Sequence, residues 1–172
     1  MIQVESLSPH FSLQKEEAPV FGLCKSIPDG IPSQIEAAVK DFMATSHIPK
    51  GIDPRSFYQQ TLQTIAARAV MNQPGGELWL GISGGDLWTY ILAHVGQDLD
   101  GRLAYTVTQA WVRKDQRGKK WVKQAWQKVR QRAKDCFASH FVVISSRGND
   151  AAYCRFLGKG FHFYASILKE EL

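Results

Sequence analysis

The chain has 172 residues, of which 44% are hydrophobic, 22% charged and 11% aromatic, and its formal net charge is +5. This composition is typical of a globular domain and excludes fibrous, low-complexity and disordered proteins. No apolar run approaches the ~20 residues that span a bilayer. The first residues also lack the basic and apolar segments of a secretory signal. We therefore expect one domain over residues 1–172, no membrane partner and a cytoplasmic location.

The first half of the chain predicts two short strands and two helices. Weak alternation of apolar residues places the strands near residues 4–12 and 20–26. A capping box at Ser33 predicts a helix over 33–46. A second helix is expected over 53–72, because an aspartate followed by a proline is a typical helix start.

From Glu77 onward the apolar period changes to two, which predicts a three-stranded antiparallel meander with turns at Gly84 and near residues 96–101. Alternation gives each strand one apolar face, formed by Leu78, Leu80 and Ile82 in the first, Leu87, Thr89, Ile91, Ala93 and Val95 in the second, and Leu103, Tyr105, Val107 and Trp111 in the third.

A basic helix is predicted over residues 117–136. The segment 113–134 holds ten Lys or Arg and one acid, whereas the rest of the chain holds 11 basic and 15 acidic residues. Such a segment is either a solvated helix face or the binding site of an anionic partner. The apolar run 141–145 predicts a buried strand, which a crossover helix makes parallel to the strand ending at Val112. A short helix and a last strand over 161–168 follow.

The start of the basic helix is the first candidate site. A parallel strand pair splays apart where its connecting helix begins, and the first turn of a helix has free N–H groups that suit an anion. Because the segment entering this helix is rich in Arg and Lys, phosphate is the expected ligand.

Two motifs at these places resemble the GNAT superfamily of N-acyltransferases. The acyl-CoA loop of that family reads Arg/Gln-x-x-Gly-x-Gly/Ala. Arg117 matches its first position, and Lys120 and Val122 replace its two small residues. The family pattern Asn-x-x-Ala-x-x-x-Tyr-x-x-x-Gly-Phe is matched at four of its five positions, with Phe156 in place of the tyrosine: Asn149, Ala152, Gly160 and Phe161. The resemblance implies an α/β fold with a mixed, mostly antiparallel sheet flanked by helices.

The resemblance also implies a function, the transfer of an acetyl or other acyl group from a CoA thioester to a primary amine. Acetyl-CoA is then the donor, and an amine-bearing small molecule or protein is the acceptor. The residues that it places at the donor are Trp111, Val112, Arg113, Arg117, Gly118, Lys119, Lys120, Trp121, Val122, Asn149 and Phe156. Lys119 and Lys120 either supply charge where the family has glycine or form the solvated first turn of the helix.

The proton donors and acceptors of such a reaction are less well marked. Phe156 cannot protonate the departing thiolate, so Tyr153, about one helical turn earlier, is the candidate catalytic residue; the alternative is that it packs on the sheet. The acids nearest to the predicted strands, Glu77 and Asp86, are expected to be ordinary turn or edge carboxylates. No general base is assigned.

A second function remains open, in which a diverged, non-catalytic relative binds a protein or another anionic partner through the basic helix 117–136. Nucleic acid is disfavoured because the two tryptophans of this helix lie on its apolar stripe. No metal is expected, since the five histidines and three cysteines are scattered. Only eleven residues follow Phe161, so the last hairpin of the family is expected to be shorter here. A shorter hairpin would leave a sheet edge uncovered, and a second copy of the chain could complete that edge in a homodimer.

Overall fold

The structure is a computed structural model that describes residues 19–46, 48, 52–70, 76–98 and 100–144. These residues form one five-stranded sheet in the order β1 (Val20–Leu23), β2 (Gly76–Ser83), β3 (Asp86–Gln97), β4 (Leu103–Val112) and β5 (His140–Val143). The helices are α1 (Ile31–Thr45), α2 (Pro54–Val70) and α3 (Lys120–Asp135), with a short 3-10 turn at Lys114–Gln116. None of the helices in these ranges is long and apolar enough to cross a bilayer.

The sheet confirms the expected mixed, mostly antiparallel α/β architecture. β1 to β4 pair antiparallel in sequence order, and β4 pairs parallel with β5. The connection between these two parallel strands is α3, as the buried run predicted. The strand expected near 4–12, the short helix from Asn149 and the strand over 161–168 lie outside the described residues.

The beginnings of two helices differ from the prediction. α1 starts at Ile31 after Gly30, whose φ is 78°, and no described side chain caps it, so the capping box at Ser33 is wrong. Pro32 explains the earlier start, because a proline in the first turn gives up an N–H that needs no helical partner. α3 begins at Lys120 rather than near Arg117, since the preceding residues form a turn.

The start of α2 is as predicted. The Asp53 carboxylate accepts hydrogen bonds from the Ser56 backbone N–H at 2.9 Å and from its hydroxyl at 2.8 Å. Pro54 is the first helical residue. The described helix ends at Val70, and residues 71–75 are outside the described ranges.

The end of α3 carries an exposed aromatic side chain in a strained backbone conformation. Phe137 has φ 56° and is 88% exposed. The Ala138 N–H closes the helix by donating to the Ala133 carbonyl at 3.0 Å. This is the helix-ending geometry at which glycine is usual, because a Cβ disfavours the left-handed region.

Phe137→Gly should stabilise the protein. Relief of the left-handed conformation is worth about 1 kcal/mol after the entropy cost of glycine, and each kcal/mol raises Tm by about 2–4 °C in a chain of this length. Thermal unfolding measures the change. Phe137→Ala is the control, since it removes the ring but keeps the strained φ; an equal gain in this control would trace the effect to the exposed ring instead.

The sheet separates two hydrophobic cores. We call its two sides the α3 face and the α1/α2 face. The core on the α3 face includes Trp79, Trp88, Ile91, Tyr105, Val107, Val122, Trp126 and Val129. The core on the α1/α2 face includes Ile35, Val39, Phe42, Ile65, Leu78, Leu80, Leu87, Tyr90, Leu92 and Trp111.

Two β-bulges correct the predicted strand faces. The first bulge is one extra residue of β3 between Leu87 and Thr89, which pair with Ile82 and Gly81 of β2. As a result, Leu87 lies on the α1/α2 face, whereas Ile91 lies on the α3 face. The second bulge is one extra residue of β4 between Val107 and Gln109, which pair with Ala93 and Leu92 of β3. As a result, Trp111 lies on the α1/α2 face, whereas Tyr105 and Val107 lie on the α3 face. A bulge shifts the alternation by one residue, and period-two patterning cannot detect that shift.

A buried polar network ties three elements together on the α3 face. The Trp79 indole N–H donates to the Tyr105 hydroxyl at 2.9 Å, and this hydroxyl donates to the Glu77 carboxylate at 2.6 Å. Arg132 of α3 donates to the other oxygen of Glu77 at 2.7 Å. Glu77 is therefore a buried structural carboxylate, and its prediction as an ordinary turn or edge residue is wrong. Burial, followed by the bond to Glu77, raises the pKa of Tyr105 far above its ordinary value.

Candidate functional site

A basic turn connects β4 to α3. Gly118 adopts φ 82° there, and open space surrounds the position that a Cβ would take. The Lys119 N–H donates to Gln116, and the Val122 N–H donates to Lys119. The N–H groups of Gly118 and Lys120 make no backbone hydrogen bond that involves only described residues. The helix N-terminus is therefore available to an anion.

The side chains of this turn suit a phosphate-bearing ligand. Val122, which replaces the last small residue of the motif, is buried against the sheet and leaves the free N–H groups uncovered. Lys120 and Lys123 are exposed, and no carboxylate of the described residues pairs with them. Lys119 lies over the Trp121 ring at 5.8 Å. Charge and backbone access together fit the diphosphate of CoA.

The predicted arginines mainly hold the turn in place. Arg117 Nε donates to the Val112 carbonyl at 3.0 Å, and its guanidinium lies 3.9 Å from Asp41. Arg113 forms an ion pair with Asp115 at 2.8 Å and lies 3.6 Å from Asp86. Both guanidinium groups therefore have partners within the protein.

Beyond its bulge, β4 pairs with one described strand only. Residues 109–112 pair with β3, whereas the pairing with β5 covers residues 104–107 and ends with the Ile144 N–H on the Val107 carbonyl at 2.9 Å. Among the described residues, no strand continues the sheet beside 109–112 on the β5 side. Val112 faces α3 there, and Trp111 faces α1, where its indole donates to Asp41 at 2.6 Å.

A cavity of about 220 Å³ opens on the α1/α2 face at the β4 bulge. We call it the α2 cavity. One side of α2, Leu92 of β3 and two residues of β4 line it, namely Phe57, Gln60, Thr61, Thr64, Arg68, Leu92, Thr108 and Gln109. The Gln109 amide donates to the Thr61 hydroxyl at 3.2 Å, and the Thr108 hydroxyl donates to the Leu92 carbonyl at 3.3 Å. The lining is polar and carries one charge, that of Arg68.

His94 does not line this cavity, but it belongs to the same face of the sheet, and its ring lies 3.5 Å from the position that a Cβ of Gly96 would take. It is two residues along β3 from Leu92 on the same face of the strand, opposite Thr106 of β4. Burial, and then the positive charge of Arg68, lower its pKa below the ordinary histidine value. Its imidazole is therefore neutral near pH 7 and able to accept a proton.

The structure brings some of the predicted site residues together and leaves others outside its described part. Tyr153, Asn149 and Phe156 are among the residues not described. Residues 117–122 form the basic turn, and Trp111 and Val112 lie on opposite faces of β4. In the described ranges, no group of three or more His, Cys, Asp or Glu residues could hold a metal ion.

Sequence reasoning missed the α2 cavity and His94. The cavity is lined by neutral polar residues that form no motif. His94 did leave a signal, because alternation along β3 puts it on the apolar face of Tyr90 and Leu92. A titratable residue on such a face is a candidate for function.

Comparisons with known proteins identify the fold. A scan against protein-family models and a search of curated proteins find no match. A transcriptional regulator from Bacillus halodurans C-125 is similar at 14% identity, with a TM-score of 0.64 over 90% of this chain and 100% of its own. A ribosomal-protein-alanine N-acetyltransferase from Brucella melitensis biovar Abortus 2308 is similar at 14% identity, with a TM-score of 0.61 over 89% and 100%.

The aminoglycoside N-acetyltransferase AAC(6')-Iy in complex with CoA is similar at 10% identity, with a TM-score of 0.62 over 90% of this chain and 95% of its own. At such identities the likeness concerns the fold and not the activity. The parallel β4–β5 pair, the meander before it and these matches agree with the resemblance drawn from the motifs. The chain therefore has a GNAT-like fold.

Proposed function

We propose that this chain transfers an acetyl group from acetyl-CoA to a primary amine. The arrangement along β4 carries the proposal: this strand runs from the α2 cavity, past residues 109–112, to the basic turn at α3. Such a path suits a donor with a diphosphate at one end and a reactive thioester at the other. Two of the similar structures are N-acetyltransferases, and one of them is in complex with CoA, which supports the same conclusion.

The basic turn binds the phosphates in this proposal. The free N–H groups at the start of α3 and the ammonium groups of Lys119 and Lys120 supply hydrogen bonds and charge. Bound donor contributes an acyl thioester, whose carbonyl carbon is the electrophile. The open side of residues 109–112 holds the thioester beside the α2 cavity, where the amine enters.

His94 accepts the proton that the amine must lose. A primary amine is protonated near pH 7 and attacks only as the neutral base. His94 lies on the same face of β3 as Leu92 of the cavity, and burial, followed by the positive charge of Arg68, keeps its pKa low. Protonation of the departing thiolate by Tyr153 stays a prediction from the sequence.

Binding of acetyl-CoA is the first test. At a concentration of one hundred times Kd it should stabilise the protein by about 2.7 kcal/mol, which raises Tm by roughly 2–4 °C for each kcal/mol. Lys120→Glu should remove this shift because it places a negative charge at the phosphates. Lys134→Glu, also exposed on α3 but at its far end, should keep the shift.

ATP at matched concentration controls for general phosphate binding. An equal shift with ATP, or equal losses in the two variants, would contradict the proposal and favour an anionic partner on the basic helix. Two basic side chains of α3 already serve the fold, since Arg132 pairs with Glu77 and Lys128 donates to the Phe21 carbonyl at 3.1 Å. This use of its charges weakens the second reading of α3 as a dedicated docking surface.

A further inference from the structure

Arg68 of the α2 cavity is a half-buried cation for which the described residues supply no counter-ion. Its aliphatic part lies over Gly76, and its one hydrogen bond to a described residue is a long one, 3.4 Å from Nη1 to the Glu77 carbonyl. No carboxylate in the described part of the chain lies within ion-pair distance of it. A guanidinium has five N–H donors, so most of those of Arg68 are unused.

The nearest acid along the sheet cannot neutralise this charge. The Glu77 carboxylate points to the α3 face, where Tyr105 and Arg132 bind both of its oxygens. Asp41, on the α1/α2 face, accepts the Trp111 indole N–H near the other end of β4. Neither of these two carboxylates therefore neutralises the charge of Arg68, which faces the cavity and lowers the pKa of His94 after burial does.

The rest of the cavity lining is neutral. Its polar members are amides and hydroxyls, namely Gln60, Thr61, Thr64, Thr108 and Gln109. Half-burial removes part of the Arg68 side chain from water, and this is costly for a charge that no described carboxylate balances. A guanidinium fork matches the two oxygens of a carboxylate or phosphate, and it repels a second ammonium group.

We infer that Arg68 binds an anionic group of the acceptor, so that the acceptor is a small primary amine that also carries a carboxylate or a phosphate. The inference rests on the proposed acetyl transfer. In this arrangement the anionic end of the acceptor lies at Arg68, and its amine lies in the α2 cavity between Arg68 and Gln109, on the face of β3 that carries His94. Acceptors with several amines and no anionic group are excluded by repulsion.

Matched amine pairs test this selectivity. The wild-type protein is assayed with acetyl-CoA for release of the CoA thiol, using β-alanine against β-alaninamide and O-phosphoethanolamine against ethanolamine. A charge-assisted bond to the anion should favour the charged member of a pair by about 10–100-fold in kcat/KM. The pair with the larger ratio distinguishes a carboxylate from a phosphate.

Three variants separate a binding role from a structural one. Arg68→Met should abolish the preference within each pair, whereas Arg68→Lys should restore part of it. Arg55→Met is the matched control, since Arg55 is exposed on the first turn of α2, away from the cavity. Equal rates within each pair for the wild type, or an equal loss for both members in Arg68→Met, would overturn the inference.

A second readout does not depend on turnover. Inorganic phosphate or acetate bound at Arg68 should raise the pKa of His94, because it neutralises one of the two causes that lower that pKa. NMR titration of the imidazole, assigned with His94→Gln, measures the change, and Arg68→Met should show no response to the anion. If no amine is acetylated, the proposed function fails. The titration still decides whether Arg68 binds an anion, because an unchanged pKa of His94 in the presence of phosphate and acetate would overturn the anion site.

Discussion

Replacing His94 with glutamine should lower kcat/KM for acetyl transfer by about 10²–10⁴-fold, the usual loss when a general base is removed. Glutamine keeps the size and polarity of the side chain but cannot accept the proton near pH 7. Binding of acetyl-CoA, followed as a thermal shift, should be unchanged because the basic turn is at the other end of β4. Steady-state kinetics with a small amine measure the loss.

The pH profile makes this test specific. The pKa of His94 is below its ordinary value, so the wild-type rate should fall only as the pH drops through that lowered pKa. The variant should lack this acidic limb. His140→Gln is the control, because His140 lies 3.3 Å from Asp98 at the turn before β4 and not at the cavity. If the His94→Gln enzyme has the wild-type rate and pH profile, another group accepts the proton of the amine.

Gly81→Ala should be the most damaging single-methyl change in the described part of β2. A Cβ at Gly81 would lie 2.5 Å from a Thr89 methyl group and closer still to the Trp88 ring. Both side chains are almost fully buried, so neither can move aside. Overpacking of this kind costs about 1–3 kcal/mol and sometimes more, and Tm should fall by about 2–4 °C for each kcal/mol.

Gly22→Ala provides the matched comparison. Gly22 lies on the adjacent strand β1, opposite Leu80, and nothing lies within 4 Å of the position that its Cβ would take. Its free energy of unfolding should change little. If the two alanine variants unfold at the same temperature, the close approach at the β3 bulge is not what requires glycine at position 81.

Much of the fold follows from local chemistry that is visible in the sequence. The change of apolar period at Glu77 and the glycines near residue 84 specify the meander, since strands and tight turns need little else. Asp53 specifies the start of α2 because its cap is local. The charge of the segment after β4 also pointed to the turn that fits phosphate.

The bulges and the α2 cavity did not follow from the sequence. A bulge changes where side chains point without changing which residues are apolar, so Leu87 and Trp111 were assigned to the wrong faces. The start of α3 was placed too early because Arg117 and Lys120 both suit an exposed first turn, and only the φ of Gly118 separates them. The sequence did not single out Arg68, since the absence of a carboxylate beside it among the described residues is a property of the packed state.

The bulge on β4 also bears on how sequences with this fold can change. Before the bulge, Tyr105 and Val107 pack in the core under α3. After the bulge, Gln109 lines the α2 cavity and Trp111 packs in the core under α1. Deleting Thr108 would remove the bulge and restore regular alternation, and Gln109 and Trp111 would keep the face that they occupy now. Deleting a residue from the regular part of β4 would instead turn over the side chains on one side of the deletion and exchange the linings of the two compartments. Along this strand, the bulge is therefore the position at which the loss of one residue is tolerated best.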